Sequence, residues 1–389
     1  MSAGARILAS GSPGEMRVAL IEDGVLTEAW IERPGIVVSR VGDLQRGRIS
    51  ARAPAMGGAF VALAGGETGF LPDTEADVAD ARDRAQALAE GRILALRVTR
   101  AGQGGKGPRV TARVTASERA MVGAGPAPVL IARGPEATLR LARAYPGAAI
   151  ETDDAALAAR LRPILGARIT LTHTLVFDDA IETVFSVCAA PDVPLPGGGR
   201  LLIHPTPGLT AIDVDAGGAG GGADVARRDL NSAAMLETAR QIRMRNLGGA
   251  ILLDPAGLSV RRRSALLEPL RAALARDPLA PRLIGLTGLG LVEIVRPRVH
   301  APMHEVLGVD IPPWPASALT HGLAALRQAA RDAAARPGVA LALRAAPSVV
   351  AALEALPGAL AAYEAGAGRA LVLSPDAGLT PARWRLGDV

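Results

Sequence analysis

The chain has 389 residues, 49% of them hydrophobic, and a formal net charge of +5 from 43 basic and 38 acidic residues. This length allows two or three domains with real cores, and the composition is that of a globular protein. No apolar run reaches transmembrane length and no signal-peptide core follows Met1, so we expect a cytoplasmic protein with no membrane partner. The single cysteine, Cys188, excludes an internal disulfide, and its apolar surroundings predict a buried, inert thiol.

The basic side chains are almost all arginine. Lys106 is the one lysine of the chain, and the other 42 of the 43 basic residues are arginine. Arginine and lysine differ physically only at demanding sites, so the surviving lysine indicates either such a site or chance. The mild positive excess is compatible with a nucleic-acid partner without requiring one.

The first 38 residues predict a small antiparallel sheet. Strand-like runs at Arg6–Ala9 and Met16–Glu22 precede a hairpin turn at Asp23-Gly24 and a third run through Trp30, and Pro34-Gly35 ends the unit. Residues 39–115 then show five short strand-like runs with glycine turns. This spacing favours a small closed barrel of the OB type.

Two features of the predicted barrel are candidates for binding. Phe60 and Phe70 are two of only four phenylalanines in the chain. On OB-type barrels exposed aromatic rings stack bases, but composition alone favours the alternative that both rings are core. The glycine-rich stretch around Lys106 lacks the first glycine and the final Ser or Thr of a nucleotide-binding P-loop, so we interpret it as a flexible hairpin that presents one lysine to a phosphate.

The rest of the chain alternates helix and strand signals. Residues 116–190 predict helices at Glu136–Tyr145, Asp154–Leu165 and Asp178–Val187 and a strand at Ala167–Thr172, and a proline- and glycine-rich stretch at 191–199 opens the next unit. Residues 191–305 predict an α/β unit. Residues 306–389 begin with a proline-rich linker, Ile311–Pro315, and predict a small C-terminal packing domain.

Within the α/β unit, two strand-like runs each end at an aspartate. Leu209–Ile212 leads into Asp213, Ala250–Leu253 leads into Asp254, and between them lies a helix that we expect Asn231 or Ser232 to cap. A right-handed crossover makes the two strands parallel neighbours, which brings both carboxylates to one sheet edge. Two close carboxylates suit a hard divalent ion such as Mg²⁺, or they merely cap the turns that follow.

Several blocks resemble the ribonuclease E/G family over most of residues 1–305. In the first half they are Arg17-Val-Ala-Leu-Ile-Glu, Gly47-Arg-Ile, Ala59-Phe-Val and Gly69-Phe-Leu-Pro. In the second half they are Leu209-Thr-Ala-Ile-Asp-Val-Asp, Asp229-Leu-Asn-Ser-Ala-Ala, and the long block from Ala239 to Asp254. This last block is specific enough to identify the chain as a member of the family.

The resemblance implies a fold and an activity. The fold is an RNase H-like scaffold (residues 1–38 and 116–190) interrupted by an OB-type RNA-binding barrel (39–115) and followed by a DNase I-like catalytic subdomain (191–305). The activity is Mg²⁺-dependent endonucleolytic hydrolysis of single-stranded RNA in rRNA or mRNA processing, which leaves a 5′-phosphate and a 3′-hydroxyl. Asp213 and Asp254 match the metal-binding aspartates, Phe60 and Phe70 the base-contacting aromatics, and Lys106 the RNA-contacting lysine.

The chain departs from the family pattern at three places. Asp215 stands where the family has asparagine, so a third carboxylate joins the predicted catalytic set. The segment that reads a 5′-monophosphate is absent, because Val114–Arg119 passes almost directly to Pro126, and we expect 5′-end sensing to be lost. The paired-cysteine zinc link is also absent. His300, His304 and Glu305 are a weak substitute because structural zinc usually has thiolate ligands, so we expect no zinc-linked tetramer and at most a homodimer.

Three interpretations compete. The first is a compact Mg²⁺-dependent endoribonuclease that is indifferent to the RNA 5′ end. The second is a non-catalytic RNA-binding relative whose site has drifted, and the third is an assembly partner in ribosomal RNA maturation. Retention of both predicted metal aspartates favours the first.

Overall fold

The computed structural model describes residues 4–34, 36, 39–78, 86, 88–188, 190–217, 224–308 and 316–389. Gly35 of the predicted break, the Ile311–Pro315 linker and most of the glycine loop after Asp215 lie outside these residues. The strands of the described residues are β1 (Arg6–Ser12), β2 (Glu15–Glu22), β3 (Val25–Glu32), β4 (Leu44–Ala53), β5 (Gly58–Ala62), β6 (Thr68–Pro72), β7 (Ile93–Arg100), β8 (Arg109–Thr111), β9 (Val129–Ala132), β10 (Ala149–Thr152), β11 (Ile169–Leu171), β12 (Asp192–Pro194), β13 (Arg200–Pro205), β14 (Leu209–Asp215), β15 (Gly249–Asp254), β16 (Arg282–Leu286), β17 (Val292–Arg296), β18 (Leu341–Ala345), β19 (Val372–Pro375) and β20 (Trp384–Asp388).

The α-helices lie between these strands and cover most of the sheet faces. They are α1 (Ala116–Val122), α2 (Ala137–Ala144), α3 (Ala155–Leu165), α4 (Asp179–Val187), α5 (Asp224–Met244), α6 (Val260–Arg263), α7 (Leu267–Leu274), α8 (Met303–Leu307), α9 (Ala318–Ala335), α10 (Pro347–Glu354) and α11 (Ala359–Ala367). The described helices include none long and apolar enough to cross a membrane alone. Only α10 and α11 taken together reach that length and hydropathy, and an 85° bend separates them.

The first sheet is built from two separate parts of the chain. Its strand order is β11-β10-β1-β2-β3, with β1, β2 and β3 antiparallel and β10 and β11 parallel to β1. The predicted hairpin turn is confirmed, because Asp23 and Gly24 both have positive φ angles. Buried side chains from α2 and α3 pack on one face, and Cys188, Phe185 and Met244 pack on the other. Cys188 is a buried thiol as predicted, and burial raises its pKa to about 11.

The chain between β3 and β10 forms the predicted closed barrel. Strands β4, β5, β6, β8 and β7 pair in a ring, and β7 returns to β4. The interior is filled by aliphatic side chains such as Ile49, Val61, Leu71 and Leu96. A sixth strand, β9, pairs with β4, so the barrel sheet continues past residue 115.

The α/β unit is a six-stranded sheet in the order β12-β13-β14-β15-β17-β16. Only β14 and β15 are parallel neighbours, and the long helix α5 makes the crossover between them. One face of this sheet carries the core, into which α5 and α7 project Met235, Ile242 and Leu270. The opposite face is open: its residues are exposed or half-buried, among them His204, Asp213 and Asp254.

The C-terminal residues form a three-stranded sheet, β19-β18-β20, covered by α9, α10 and α11. A buried ionic cluster fastens α9 to the first sheet. The Glu15 carboxylate accepts from Arg17 (Nε–Oε1 2.8 Å), Arg33 (Nε–Oε2 3.1 Å) and Arg327 of α9. Burial by itself raises the pKa of Glu15, but the three positive charges outweigh it and lower the pKa to about 2.

Candidate functional site

The two predicted metal aspartates lie side by side at the ends of β14 and β15. The parallel register pairs Ile212 with Leu253 and Asp213 with Asp254. Adjacent strands lie about 4.8 Å apart, so both carboxylates leave the sheet from neighbouring backbone positions. The prediction that the crossover would bring them together is therefore confirmed.

The alternation of side chains sets which face the aspartates occupy. Ile212, Val214 and Leu253 are buried in the helix-covered core, so Asp213 and Asp254 point to the open face. The pKa of Asp213 is raised, first by desolvation and then by the negative charges of Asp254 and Asp215. Among the residues that the structure describes, no arginine pairs with Asp213. The pair is thus a concentration of negative charge that a cation would relieve.

Asp215 lies on the same face, but its carboxylate is engaged elsewhere. Oδ2 accepts from Arg200 (Nε and Nη2, both 2.9 Å), and Oδ1 accepts from the Gly217 N–H at 2.9 Å. These two interactions, the Gly217 N–H first, lower the pKa of Asp215. Arg200 sits directly opposite Asp215 in the β13–β14 register. The third carboxylate is therefore charge-paired, although it still raises the pKa of Asp213.

Asp254 has its own cation on the other side of the site. Arg263 Nη1 lies 2.7 Å from Asp254 Oδ1, and the same guanidinium donates to the Gly290 carbonyl (2.9 Å) and the Leu258 carbonyl (3.0 Å). Only 13% of the Arg263 side chain is exposed. The Arg263 side chain therefore fixes one oxygen of the Asp254 carboxylate.

The prediction that Asn231 or Ser232 caps a helix is wrong. Helix α5 already begins at Asp224, so residues 231 and 232 lie within it. Asn231 is fully buried, and its side-chain amide makes two hydrogen bonds to the backbone of Ala256. Nδ2 donates to the Ala256 carbonyl, and Oδ1 accepts from the Ala256 N–H, each at 3.0 Å. Asn231 therefore fixes the turn that follows Asp254, a role that the helix signals did not indicate.

Phe60 and Phe70 lie on the outer surface of the barrel. They pair directly in the β5–β6 register, and their rings meet edge to face with centroids 5.7 Å apart. Their neighbours Ala59, Val61 and Leu71 point into the barrel core instead, so the alternative that both rings are core is excluded. Gly58 allows this arrangement, because a Cβ there would lie 2.5 Å from Cζ of Phe70.

Lys106 is exposed in a hairpin, as predicted. The Gln103 and Lys106 backbones exchange two hydrogen bonds, and Gly104 and Gly105 at the tip have positive φ angles. The hairpin is docked rather than free. The Gly104 N–H donates to the Glu305 carboxylate at 3.0 Å, and the Gln103 amide donates to the His300 carbonyl at 3.2 Å.

This docking places the barrel at the opposite end of β14 and β15 from the aspartates. His300 follows Arg296, which pairs with Gly249 at the start of β15. Asp254 lies five positions after Gly249, a distance of about 17 Å along an extended strand. The structure thus brings Asp213, Asp254 and Asp215 together, and Phe60 and Phe70 together, but the two groups lie at opposite ends of the open sheet face.

The histidines near the hairpin have other surroundings. His300 packs edge to face on Trp30 with centroids 4.9 Å apart, and burial together with Arg140 and Arg296 lowers its pKa to about 3. Burial and Arg245 lower the pKa of His304 to about 4.

Within the described ranges, no group of three or more His, Cys, Asp or Glu side chains is arranged to hold a metal ion. The protein therefore offers the Asp213/Asp254 pair. Such a pair fits Mg²⁺, which takes one or two carboxylates and completes its shell with water and substrate phosphates.

Comparison with known proteins agrees with the motifs. Residues 153–299, which contain this pair, match the model of the ribonuclease E/G family. A ribonuclease E from Nostoc sp. is 39% identical over 125 residues, 31% of this chain, and one from Synechocystis sp. is 38% identical over the same length. The chain spans 18% of the length of these two relatives.

A second kind of relative covers more of the chain. Ribonuclease G from Escherichia coli is 26% identical over 413 aligned positions, 79% of this chain and 83% of the relative. Ribonuclease G from Haemophilus influenzae is 25% identical with similar coverage, 79% and 82%. The protein is thus an α/β multidomain chain with a closed barrel and a carboxylate pair at a sheet edge. Over residues 153–299 it matches the ribonuclease E/G family, and over most of its length it is similar to ribonuclease G.

Proposed function

We propose that this protein is a divalent-metal endoribonuclease that hydrolyses phosphodiester bonds in single-stranded RNA. The observation that carries the proposal is the register pairing of Asp213 with Asp254 inside the segment that matches the family model. The same two residues follow from the strand-end argument and from the family resemblance. Two independent routes therefore lead to one site.

Each residue of the candidate site has a separate role in this proposal. Asp213 and Asp254 would hold Mg²⁺, and the ion would supply Lewis-acid activation of a water and stabilisation of negative charge on the phosphate. Arg263 keeps Oδ1 of Asp254 in place, and Asn231 fixes the turn that follows it. Asp215, paired with Arg200, orients the strand end and shapes the local field. Such supporting contacts matter because small misplacements of reacting groups are costly.

The barrel supplies the RNA-binding surface in this proposal. We infer that it is an OB-type module on which Phe60 and Phe70 stack bases while Lys106 contacts a phosphate. The edge-to-face pair presents half-exposed rings on the outer surface, which supports this role. The two-part sheet would then be the RNase H-like scaffold, and the six-stranded unit the DNase I-like catalytic subdomain.

We further propose that cleavage does not depend on the RNA 5′ end. Between barrel strand β8 and the scaffold the chain has only the seven-residue helix α1 and the short strand β9. The sensor segment that the family resemblance implies has no counterpart there. A cytoplasmic role in rRNA or mRNA processing, as a monomer or homodimer without a zinc link, completes the proposal.

The test compares one fluorescent single-stranded RNA, made with a 5′-monophosphate and with a 5′-hydroxyl. We expect the wild type with Mg²⁺ to cut both equally. Asp213→Asn should reduce cleavage by about two to three orders of magnitude, because a metal supplies several kcal/mol of transition-state stabilisation. Glu268→Gln, which changes an exposed carboxylate on α7, should cut like the wild type.

Thermal unfolding with and without Mg²⁺ provides a second readout. The wild type and Glu268→Gln should gain stability from the ion, and Asp213→Asn should not. RNA binding without any cleavage by the wild type would instead support the non-catalytic RNA-binding relative. A preference for the 5′-monophosphate would refute the proposed loss of end sensing.

A further inference from the structure

Three arginines, Arg100, Arg109 and Arg298, lie close together where the barrel contacts the α/β unit, which is the proposed catalytic unit. Arg100 and Arg109 are direct partners in the β7–β8 pairing. Like charges placed opposite each other in a sheet are unfavourable. Neither arginine is paired with an acidic side chain in the described part of the chain. The Nε of Arg100 is also buried without a hydrogen-bond partner.

Arg298 belongs to the same group, although it comes from the catalytic unit. The Ala101 N–H donates to the Val299 carbonyl at 2.8 Å, so the residues after Arg100 and Arg298 are hydrogen-bonded to each other. Arg298 donates to two backbone carbonyls, Gly248 at 3.2 Å and Gly208 at 3.4 Å. Its charge is therefore oriented but not neutralised. The pKa of Arg100 is lowered by burial and then by Arg109 and Arg298, as expected if both charges reach it.

Three buried arginines of this chain have carboxylate partners instead. Arg17, Arg243 and Arg296 are buried, and each forms ion pairs with aspartate or glutamate. The seam cluster, defined as Arg100, Arg109 and Arg298, instead concentrates three guanidinium groups without a carboxylate. Guanidinium groups match the geometry of phosphate oxygens, and uncompensated arginine clusters are typical of phosphate sites.

The position of the seam cluster favours RNA as the source of the phosphate. Arg109 is bridged directly to Phe70 in the β6–β8 pairing, so a base stacked on that ring places its backbone beside the cluster. On the other side, Arg298 contacts the starts of β14 and β15, where the open face toward Asp213 and Asp254 begins. The cluster thus lies between the aromatic surface and the aspartate pair.

We propose that the seam cluster binds a backbone phosphate of single-stranded RNA and directs the strand from the barrel onto the open sheet face. This proposal rests on the proposed function for the identity of the polymer. It adds a contact that belongs to neither unit alone, because Arg298 comes from the catalytic unit and its two partners come from the barrel. The site therefore also couples the docking of the barrel to RNA binding.

The test measures RNA binding by fluorescence anisotropy in EDTA, where no metal-dependent cleavage takes place, over a series of salt concentrations. Each phosphate contact to single-stranded nucleic acid contributes about 0.7 to the slope of log K against log salt. Arg109→Gln should lower that slope by about 0.7 and weaken binding at low salt, and Arg109→Lys should restore most of the slope. Arg369→Gln, an exposed arginine of the C-terminal unit, is the matched control and should leave the slope unchanged.

A readout without RNA separates a binding role from a structural one. If the cluster is uncompensated, Arg109→Gln should keep or slightly raise the melting temperature at low salt, because it removes like-charge repulsion. A lower melting temperature would show that Arg109 supports the fold, and it would overturn the proposal. Arg100→Gln should repeat the loss of slope.

The outcomes also separate this proposal from the proposed nuclease function. If the wild type cuts RNA but Arg109→Gln and Arg100→Gln bind it with the wild-type slope, the seam site is refuted and the nuclease stands. If the wild type never cuts RNA but both variants show a lower salt dependence of RNA binding, the seam site is supported and the nuclease is refuted.

Discussion

Asn231 gives the sharpest test of how the α/β unit (residues 191–305) holds the candidate site. Its side chain is fully buried in α5 and makes two hydrogen bonds of 3.0 Å to the Ala256 backbone, two residues after Asp254. Asn231→Ala removes both. Each is worth about 1 kcal/mol net, so the turn should lose about 2 kcal/mol of local stability.

Thr238 on the same helix provides a matched control. It is also fully buried, but its hydroxyl has no hydrogen-bond partner. Thr238→Val therefore removes an unsatisfied polar group and should leave the fold unchanged or more stable by about 1 kcal/mol. The pair of variants separates the loss of specific hydrogen bonds from any general effect of substitution inside α5.

The assay is hydrogen exchange of the peptide that contains Asp254 and Ala256, measured together with RNA cleavage. Global unfolding of a multidomain chain does not yield one defined free energy, so a local measurement is needed. A loss of 2 kcal/mol corresponds to exchange about 30-fold faster, and a loosened Asp254 should slow cleavage by about 10- to 100-fold. Wild-type exchange and cleavage in Asn231→Ala would refute the argument that this side chain positions the site.

Two further variants test the charges of the molecule. Because the pKa of Glu15 in the fold is about 2, below its ordinary 4.5, its contribution to stability is present above pH 4.5 and is lost as the pH falls toward 2. Glu15→Gln should therefore remove roughly 3 kcal/mol of stabilisation from the packing of α9 on the first sheet at pH 7 and flatten the acid limb of the melting temperature, and an unchanged limb would contradict this. Arg200→Ala should leave Asp215 unpaired beside Asp213 and tighten Mg²⁺ binding in calorimetry, with Asp215→Asn in the same chain reversing the gain; equal affinities in all variants would show that the pairing is irrelevant to the metal.

The sequence was sufficient to predict that Asp213 and Asp254 lie side by side because that geometry is local. Two apolar runs that each stop at an aspartate, joined by a helix, define a crossover whose handedness and register follow from general rules. The closed barrel was predictable for a similar reason, since short strands with glycine turns have few other arrangements. Phe60 and Phe70 were ambiguous only because composition does not show which face of a strand points outward.

The roles of the supporting residues could not be predicted, because they depend on tertiary contacts that no local sequence pattern contains. Asn231 was misassigned because α5 begins at Asp224, seven residues before the expected cap. Arg263 bonds across to Asp254, an interaction set by the loop after β15. Of these supporting residues, Arg200 was the easiest to predict from the sequence. The β13–β14 hairpin places it opposite Asp215 once the strand register is fixed.

The ion pair with Arg200 also changes how the aspartate at position 215 is interpreted. An aspartate in place of the family's asparagine adds negative charge beside two carboxylates, and such a change by itself suggests a site that has drifted. The structure pairs that charge with an arginine at the facing position, so the pair as a whole is neutral, like the amide that the resemblance implies. A drifting site has no physical reason to keep Asp213 and Asp254 in repulsive proximity, because replacing either would relieve the strain. The retained pair and the compensated neighbour therefore both support a site that still binds a metal ion.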